Sequence, residues 1–377
     1  MKKTTLIWLA LSISYYAFGQ KNPTNPNIDH YIKKEMQELG IPGLAVAVIE
    51  EGKIMHCGTY GISNIEYHLP VTPNTTFQIA SVSKLFTSTL VMKWIQEHKL
   101  SLDDYLNKYI DDVPLSWKDI QIRHLLAHEG GMPWPATLGG YIGTRPSANF
   151  KVEPIATIVK NLKDSVLRFS PGTKQAYQNG DYFVLQYILE KIGGKPIQEI
   201  FKQEIFAPLG MDNSGYDVEI RGFPFQTMLP VNNKSQNFSK GKNGPLIFKG
   251  FYSPASYCAG GMFLSIADGI KWAIALDKNS FISNAMQQQM ATKTATNGGF
   301  TQLGWTTQTN NGHLMIGHSG GPGLGDIIRF PKEKLTIIVL SNYVDMNPYM
   351  AQAIAQFYVT DIKPSNLPKT FIRNLGN

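Results

Sequence analysis

Residues 77–92 read FQIASVSKLFTSTLVM. Lys84 is the only charged residue between Gln78 and Met92, so the helix that we predict from Ser81 onward is a buried one. A buried ammonium group is costly unless it is paired or used chemically. Ser81 stands three residues before Lys84 and therefore lies on the same helical face. The stretch predicts a reactive serine–lysine pair or, as the simpler alternative, a serine that caps the helix and a lysine that extends to solvent.

The chemistry of such a pair is that of an activated nucleophile. A serine hydroxyl is a weak nucleophile until a neighbouring base takes its proton, and a desolvated lysine has a lowered pKa that suits this task. The N-terminus of the helix also favours the negative charge that develops during attack.

Short apolar runs separated by turn signals stand at both ends of the chain, which indicates one antiparallel sheet assembled from the two ends. Two predicted strands come early, three come late, and a helical segment stands at each end of the set. The pattern predicts an α+β fold, with an antiparallel sheet flanked by helices. The predicted strands are 44–50, 53–61, 313–318, 325–330 and 335–342, and the predicted helices are 27–40 and 348–361.

The middle of the chain is mostly helical in pattern. Apolar residues between 181 and 192 have the i, i+3, i+4, i+7 spacing of a helix, which Gly193-Gly194 ends. Residues 231–244 are polar and rich in Gly and Asn, which predicts an exposed loop. We expect a discontinuous sheet domain, 20–80 with 255–377, and an inserted, mostly helical domain, 81–254, with the active site at their interface.

Composition and charge exclude several classes of protein. Hydrophobic residues make up 43% of the 377 residues and charged residues 17%, which is typical of a packed globular protein and not of a disordered or coiled-coil chain. The formal net charge is +7, or 7 − 2 = +5 without Lys2 and Lys3. Because Lys and Arg are scattered, nothing indicates a nucleic-acid partner.

The N-terminus has the features of an export signal. Lys2 and Lys3 precede an uncharged apolar stretch, and Ala17-Phe18-Gly19 offers small residues for cleavage before Gln20. The stretch is short for a membrane anchor, and no other run approaches the ~18 residues that a span needs. We expect residues 1–19 to be a signal peptide and the mature chain to be periplasmic or secreted, without a membrane span.

The chain has two cysteines, Cys57 and Cys258, each beside Gly and apolar residues. Export permits a disulfide, but two cysteines are not a disulfide framework. We therefore predict small buried thiols and leave a bridge open as the alternative.

Two further short motifs also allow a simple explanation when each is taken alone. Tyr177-Gln178-Asn179 stands just before the predicted helix at 181, where an ordinary turn and helix entry would explain it. His318-Ser319-Gly320-Gly321 stands at the end of a predicted strand. Glycines there allow a substrate backbone to come close and leave N–H groups free to donate, although a glycine-rich turn is the alternative.

Taken together and in this order, S-x-x-K on a buried helix, Y-x-N in the middle and H-S-G on a late strand resemble the penicillin-recognising serine hydrolases. This group of serine β-lactamase-like and penicillin-binding proteins holds class C β-lactamases, D-alanyl-D-alanine carboxypeptidases, D-aminopeptidases and related esterases. The resemblance implies a β-lactamase/transpeptidase-like fold. Segments that look like family segments, in family order, are IPGLAVAVIEEGKI, FQIASVSKLFTSTL, IQIRHLLAHEGGMP, FSPGTKQAYQNGDYFVLQYIL, APLGM, CAGGMFLSIAD and GHSGGPGLGD.

The resemblance also implies a role for each motif residue. Ser81 would be the acylated nucleophile, Lys84 its proton partner, and Tyr177 the general base for Ser81 and later for water. Substrate binding would fall to Asn179, which would bond the substrate amide, and to the His318-Ser319 strand, where His318 would face the substrate's carboxylate end. The backbone N–H groups of Ser81 and Gly321 would form the oxyanion hole. No cofactor and no metal are implied.

One departure from the family's pattern concerns substrate choice. Class C β-lactamases usually have Lys where this sequence has His318, and the His form looks more like the carboxypeptidase, D-aminopeptidase and esterase branches. An imidazole with an unperturbed pKa near 6.5 is mostly neutral at pH 7.5. We therefore expect weak β-lactam hydrolysis, and activity on anionic substrates that rises as the pH falls toward 6.

The implied function is an exported serine hydrolase that acts through an acyl-enzyme on an amide or ester bond. Its partner would be a small-molecule or peptide substrate (a D-amino-acid peptide, an ester or a β-lactam), for which the cell wall is one source. A true class C-type β-lactamase and a non-hydrolytic penicillin-binding or sensor module are the alternatives.

Two other sites are weaker hypotheses. Gly317–Gly321 matches the G-x-S-x-G nucleophile elbow with Ser319 as nucleophile, but that elbow needs a helix after it and a His downstream, and His318 is the last His. His124 and His128 have the i, i+4 spacing of zinc ligands on a helix. Leu125 stands where the Glu of H-E-x-x-H would be, so we expect structural histidines.

Overall fold

The computed structural model describes residues 23–133, 142–143, 154–221, 226–248, 251–321 and 323–371. The predicted signal peptide, residues 1–19, lies outside these residues. In the described part of the chain, no helix has both the length and the apolar character that crossing a membrane requires.

The chain contains helices and strands in an α+β arrangement, as the sequence predicts. The helices are α1 (Pro26–Leu39), α2 (Ser83–Gln96), α3 (Ile122–Leu126), α4 (Ile155–Lys163), α5 (Asn179–Gly193), α6 (Ile197–Phe201), α7 (Ala207–Leu209), α8 (Ile266–Asp277), α9 (Asn284–Met290) and α10 (Met350–Ala355). The strands are β1 (Gly43–Glu50), β2 (Lys53–Asn64), β3 (Leu69–Pro70), β4 (Thr76–Gln78), β5 (Ile142–Gly143), β6 (Gly215–Tyr216), β7 (Val218–Arg221), β8 (Gln226–Leu229), β9 (Asn237–Gly241), β10 (Gly244–Phe248), β11 (Phe251–Tyr252), β12 (Met262–Ser265), β13 (Thr306–Asn310), β14 (His313–Gly320), β15 (Gly325–Phe330) and β16 (Leu335–Ser341).

Both ends of the chain contribute to one seven-stranded sheet. Its order is β13-β14-β15-β16-β1-β2-β3, and every neighbouring pair is antiparallel. The late strands join the early ones where β16 pairs with β1, with Val339 opposite Val46. The predicted hairpin and the predicted three-stranded meander are thereby confirmed as parts of one sheet.

Both faces of this sheet are buried, which explains why its central strands are almost wholly apolar. Leu44, Val46 and Val48 of β1 face the cluster that includes side chains of α1 and α10. The alternate residues of β1, Ala45 and Ala47, face the larger cluster that includes α2, α5 and α8. We call these the outer and inner faces of the sheet.

The inner face carries the elements that place the candidate active site. Helix α2 is buried on nearly every side, which its largely apolar sequence requires. A 3₁₀ turn, Ala80–Val82, leads from β4 into α2 and packs against β14. Gly320 of β14 has no alternative residue here, because an added Cβ would lie 2.1 Å from the carbonyl oxygen of Ile79. The start of α2 and the end of β14 are therefore in contact.

Two predicted elements differ from the structure. Residues 231–244 are not simply a loop, because β9 and β10 pair in this region with Gly241 opposite Gly244. Most of the residues of this hairpin are exposed or half-buried, so its strands lack the apolar alternation by which a strand is recognised. The predicted helix 348–361 is shorter in the structure, where α10 ends at Ala355.

Two other expectations concern the cysteines and the division into domains. No disulfide joins Cys57 and Cys258, and both thiols are buried, as the sequence predicts. The division into a sheet domain, 20–80 with 255–377, and an inserted domain, 81–254, stays a prediction.

Candidate active site

Ser81 lies in the 3₁₀ turn that begins the buried helix. Its Oγ is 2.7 Å from the hydroxyl oxygen of Tyr177, 96 residues further along the chain. The preceding residue, Ala80, has a φ of 45°, in the left-handed region that non-glycine residues rarely occupy. Strained backbone of this kind is concentrated at functional sites. The turn therefore presents the Ser81 hydroxyl to Tyr177 at the cost of local strain.

Lys84 lies on the same helical face as Ser81 and is fully buried. Its Nζ donates to the hydroxyl oxygen of Tyr177 at 2.8 Å and to the carbonyl oxygen of Ala259 at 2.7 Å, and it lies 3.4 Å from Ser81 Oγ. No carboxylate forms an ion pair with it among the described residues. Burial lowers the pKa of the Lys84 ammonium group. The alternative of a lysine that extends to solvent is wrong.

Tyr177 completes a triangle of hydroxyl, hydroxyl and ammonium groups. It stands two residues before α5, and 41% of its surface is exposed although its hydroxyl contacts both Ser81 and Lys84. The ring of Phe300 stacks on the Tyr177 ring at a centroid distance of 5.9 Å. The Gln175 side chain holds the backbone of Phe300, accepting from its N–H and donating to its carbonyl, both at 3.0 Å. The tyrosine is therefore fixed at its backbone and along one face of its ring.

His128 is the main contact of the segment that carries Tyr177. Its Nδ1 lies 3.0 Å from the carbonyl oxygen and 3.2 Å from the amide nitrogen of Gln178, and its ring is 4.5 Å from the Tyr177 ring. Its own carbonyl accepts from the N–H of Ala176 at 2.9 Å. Burial, with Lys84 and His318 close by, holds the pKa of His128 well below 6.5, so the imidazole is neutral. Sequence reasoning assigned His128 only a structural part and missed this contact.

His318 lies on β14 with its ring 6.0 Å from the Tyr177 ring and 6.3 Å from the Phe300 ring. Only 5% of it is exposed. Its Nδ1 is 2.7 Å from the carbonyl oxygen of Ser319, which can only accept, so Nδ1 carries the proton. Burial, with Lys84 nearby, lowers the pKa of His318 to about 3. The expectation of an unperturbed imidazole that becomes charged toward pH 6 is therefore wrong.

The remaining predicted residues are Asn179, Gly321 and Ser319. Asn179 is the first residue of α5 and is buried, and no described group forms a hydrogen bond with its Oδ1. Gly321 follows β14, and an added Cβ there would meet nothing within 4 Å, so the backbone is approachable. Ser319 alternates with His318 along β14 and stands opposite Asp326, on the outer face of the sheet. The assigned roles of these three residues stay predictions.

The two weaker hypotheses find no support. Ser319 lies within β14, and the next element along the chain is β15, where a nucleophile elbow would need a helix. His124 Nδ1 accepts from the backbone of Gln121, which ties it to the start of α3. In the described part of the chain, no three His, Cys, Asp or Glu side chains are grouped as a metal ion would require.

Comparison with known proteins agrees with this geometry. The family model described as Beta-lactamase matches residues 28–357. The chain belongs to this family. The name refers to the shared fold and motifs, so the predicted membership is confirmed and the β-lactamase/transpeptidase-like fold with it.

Two curated relatives within the β-lactamase family are similar along most of the chain. The protein flp of Staphylococcus aureus (strain COL) is 24% identical over 341 residues, which is 85% of this chain and 64% of that protein. The unguisins hydrolase ungD' of Aspergillus campestris is 26% identical over 373 residues, which is 91% of this chain and 66% of that protein. The chain thus spans just under two thirds of the length of these relatives.

Two solved structures have the same fold as this chain. The octameric penicillin-binding protein homologue from Pyrococcus abyssi has a TM-score of 0.72 at 24% identity, covering 88% of this chain and 77% of that one. The D-amino acid amidase from Ochrobactrum anthropi SV3 in complex with D-phenylalanine has a TM-score of 0.68 at 19% identity, covering 84% and 92%. At these identities the likeness concerns the fold.

Proposed function

We propose that this protein is a serine hydrolase that cleaves an amide or ester bond through an acyl-enzyme on Ser81. The observation that carries the proposal is the triangle of Ser81, Tyr177 and Lys84, in which the Ser81 hydroxyl lies 2.7 Å from a phenol oxygen that is itself 2.8 Å from a buried ammonium group. A nucleophile within hydrogen-bond reach of a base, with the base oriented by a third group, is the arrangement of covalent catalysis.

In the acylation step, Ser81 Oγ attacks the carbonyl carbon of the substrate and its proton passes to the Tyr177–Lys84 pair. The C–N or C–O bond then breaks, and the leaving amine or alcohol takes that proton. Lys84 would hold the Tyr177 oxygen in place through a charge-assisted hydrogen bond. Burial lowers the pKa of Lys84, so this group gives up a proton more readily than an exposed lysine does.

In the deacylation step, a water molecule attacks the ester formed on Ser81. The same Tyr177–Lys84 pair takes a proton from the water, and the Ser81 oxygen leaves and regains a proton. The backbone N–H groups of Ser81 and Gly321 would bind the oxyanion in both steps. Asn179, whose Oδ1 is buried without a described partner, would accept from the substrate amide.

We propose an uncharged or cationic substrate in preference to a carboxylate-bearing one. His318 is neutral because burial lowers its pKa to about 3, and Phe300 presents an apolar ring beside it. A neutral imidazole binds a carboxylate without the strength of a charge-assisted bond. Short D-amino-acid amides or esters therefore suit the site better than penicillins, and the D-amino acid amidase of the same fold agrees with this choice. A true class C-type β-lactamase is the second candidate, favoured only by the shared motifs.

The deciding experiment combines covalent labelling and a hydrolysis panel on the purified chain from Gln20. Fluorescent penicillin reports acylation, and the panel contains nitrocefin, a short-chain p-nitrophenyl ester, a D-Ala-D-Ala peptide and D-amino-acid amides. We expect turnover of the ester or the amides and weak turnover of nitrocefin. Labelling without turnover of any substrate would favour a penicillin-binding or sensor module. The absence of both labelling and turnover would contradict the proposal.

We also propose that the protein is exported and that the cell wall is one source of its substrate. The support is the charged start, the apolar stretch and the small residues before Gln20 in the sequence. Mass spectrometry of the mature protein should find Gln20 at the N-terminus and most of the protein outside the cytoplasm. An intact N-terminus in the cytoplasmic fraction would contradict export.

A further inference from the structure

A cavity of about 770 Å³ lies beside β13 and β14, and it includes the outer face of β14. Ser319 and Asp326 form part of its lining, as do Gln352 of α10 and the segment 363–367 near the C-terminus. His318 also lines the cavity, but its ring lies 6.0 Å from the Tyr177 ring on the inner side of the sheet, whereas Ser319 and Asp326 lie on the outer face. The acyl-transfer chemistry proposed above uses no side chain on this outer face.

Hydrogen bonds fix the wall that closes the cavity. The Asn310 side chain donates to the carbonyl oxygen of Lys363 and accepts from its N–H, both at 3.0 Å. The Gln352 side chain donates to the same carbonyl oxygen at 2.7 Å. These bonds join the segment to β13 and to α10, so the cavity is a formed feature of the fold. Its volume is in the range of small-molecule sites.

Asp326 is the unusual group in this cavity. It lies on a mostly apolar sheet face, with buried residues such as Met315, Phe330 and Ile337. Only 7% of Asp326 is exposed, and it forms no ion pair among the described residues. A buried carboxylate without a cation is costly, and folded proteins normally pair such groups.

The structural role of Asp326 does not explain its charge. Its carboxylate accepts the backbone N–H of Ala351 in the first turn of α10. The amide oxygen of an asparagine would accept the same bond without burying a charge. Lys363, the other residue of the described lining that is charged at neutral pH, is exposed and does not reach Asp326 as an ion pair. The carboxylate therefore lacks a cationic partner within the described chain.

We propose that this cavity is a second binding site, for a small polar organic molecule that carries an ammonium group. The ammonium group would donate to the Asp326 carboxylate and to the Ser319 hydroxyl, which is its cross-strand neighbour. The hydroxyl and amide groups of β13, Gln352 and the segment 363–367 would bind the polar remainder of the ligand. A lone metal ion does not fit, because the cavity far exceeds the size of an ion and the described residues supply a single acidic ligand there.

The site is tested with two probes that differ only in the ammonium group, trans-4-aminocyclohexanol and trans-1,4-cyclohexanediol. In a ligand-observed NMR titration of the full mature chain at pH 7.5, the amine should bind in the millimolar range and the diol at least about tenfold more weakly. Asp326→Asn should weaken amine binding about tenfold or more, and Asp326→Glu should restore part of it. Asp164→Asn, which removes the same charge from an exposed helix end, is the matched control and should bind as the unmodified protein does.

Equal binding of amine and diol, no binding of the amine, or an unchanged affinity in Asp326→Asn would overturn the proposal. If Asp326→Asn does not fold, Ser319→Ala and Gln352→Ala replace it, and each should weaken amine binding several-fold. Unchanged binding in both would likewise overturn the site. Neither result depends on hydrolysis, so this test and the test of the proposed function fail independently.

Discussion

Ser81 and Ser319 are the two serines that the sequence offers as nucleophiles, and the structure gives them different surroundings. Ser81 Oγ lies 2.7 Å from a phenol oxygen, whereas Ser319 stands opposite Asp326 on the outer face of the sheet. We expect Ser81→Ala to lower kcat/KM for a p-nitrophenyl ester by several orders of magnitude and to abolish penicillin labelling. Ser319→Ala is the control and should stay within about tenfold of the unmodified protein. The opposite order of effects would contradict the assignment.

In the proposed mechanism Lys84 and Tyr177 act on one proton transfer, so their substitutions should not act independently. Lys84→Ala and Tyr177→Phe should each lower kcat by about 100-fold or more. The double variant should be little worse than the more damaged single variant, because groups that act as a unit are strongly non-additive. The measurement is a double-mutant cycle on kcat/KM for the ester. Losses that multiply fully would show that the two residues do separate work.

In the proposed function, His318 faces the carboxylate end of the substrate. Because burial lowers its pKa to about 3, the ratio of kcat/KM for carboxylate-bearing over neutral substrates should stay flat between pH 6 and 8. His318→Lys should raise that ratio several-fold at pH 7.5, since a charge-assisted bond is about twice as strong as a neutral one. His318→Gln adds no charge and should leave the ratio unchanged. A ratio that rises toward pH 6 in the unmodified protein would show that His318 becomes charged.

At the scale of single residues, the sequence predicted the site residues whose chemistry is unusual for their sequence surroundings. Lys84 stood out because a lone charge in an apolar helix needs an explanation, and the structure brings it to Tyr177. His128 and Phe300 were missed as site residues, because a histidine or phenylalanine in an apolar stretch is ordinary. Their importance depends on the Tyr177 ring, which folding brings next to them. The predicted pKa of His318 was also wrong, because the residue type alone does not tell how deeply the side chain is buried.

The segment before α5 is the element on which the geometry of Tyr177 depends, and His128 holds it. His128 itself has a φ of 59°, a conformation that Asn tolerates better than most residues. His128→Asn keeps a polar group near the position of Nδ1 and should retain kcat within about tenfold. His128→Phe keeps the ring and loses the contact with Gln178, and we expect kcat to fall about 10- to 100-fold at nearly unchanged KM.

A purely structural role of His128 would produce a different result. It would lower the melting temperature of His128→Phe and leave the kcat of the folded fraction and its pH profile unchanged. We expect the alkaline or acidic limb of the kcat profile to move instead, because Tyr177 would no longer be fixed beside Lys84. An unaltered profile together with an unaltered kcat would contradict the positioning role.

Elements were predictable where local pattern and burial agree. The apolar runs at 44–50 and 335–342 are strands buried on both faces, and the spacing in 181–192 is the helix α5. The β9–β10 hairpin was predicted as a loop, because most of its residues are exposed or half-buried and show no apolar alternation. The helix at 348–361 was predicted too long, because the spacing of apolar residues continues through the turns that follow Ala355. These turns pack Val359 and Ile362 onto the outer cluster without a helix.

At the scale of the whole molecule, the sequence indicated that the two ends of the chain meet in one sheet, and the pairing of β1 with β16 confirms it. What it did not indicate is the chemistry of the outer face. Asp326 occurs in the strand GDIIRF, where a charge at the start of a strand suggests a solvent-exposed end. The structure buries it, because the chain returns as α10 and the segment 363–367 and covers that face. A contact made by residues so far apart in sequence cannot be derived from either segment alone.

The burial of Asp326 has a measurable consequence for stability. Burial raises the pKa of this carboxyl from 3.8 to about 7 in the folded protein. Between these two pH values the folded state holds a proton that the unfolded state has lost. The contribution of this proton to the free energy of unfolding is complete below pH 3.8 and is lost as the pH rises through 7. Asp326→Asn keeps the bond from Ala351 and removes the titration. Between pH 5 and pH 8, the unmodified protein should lose about 2 kcal/mol of unfolding free energy relative to the variant.

Denaturant unfolding of both proteins at pH 5 and pH 8 measures this difference directly, and Asp164→Asn supplies the control for removing a surface charge. A protein that keeps a destabilising carboxylate where an amide would serve gives up stability, and such positions are typically those that function requires. If the gain from Asp326→Asn at pH 8 is accompanied by loss of amine binding, the cost in stability and the binding site have the same origin. Equal stability of the two proteins at both pH values would show that the carboxylate is solvated, and the reason to expect a cation beside it would be removed.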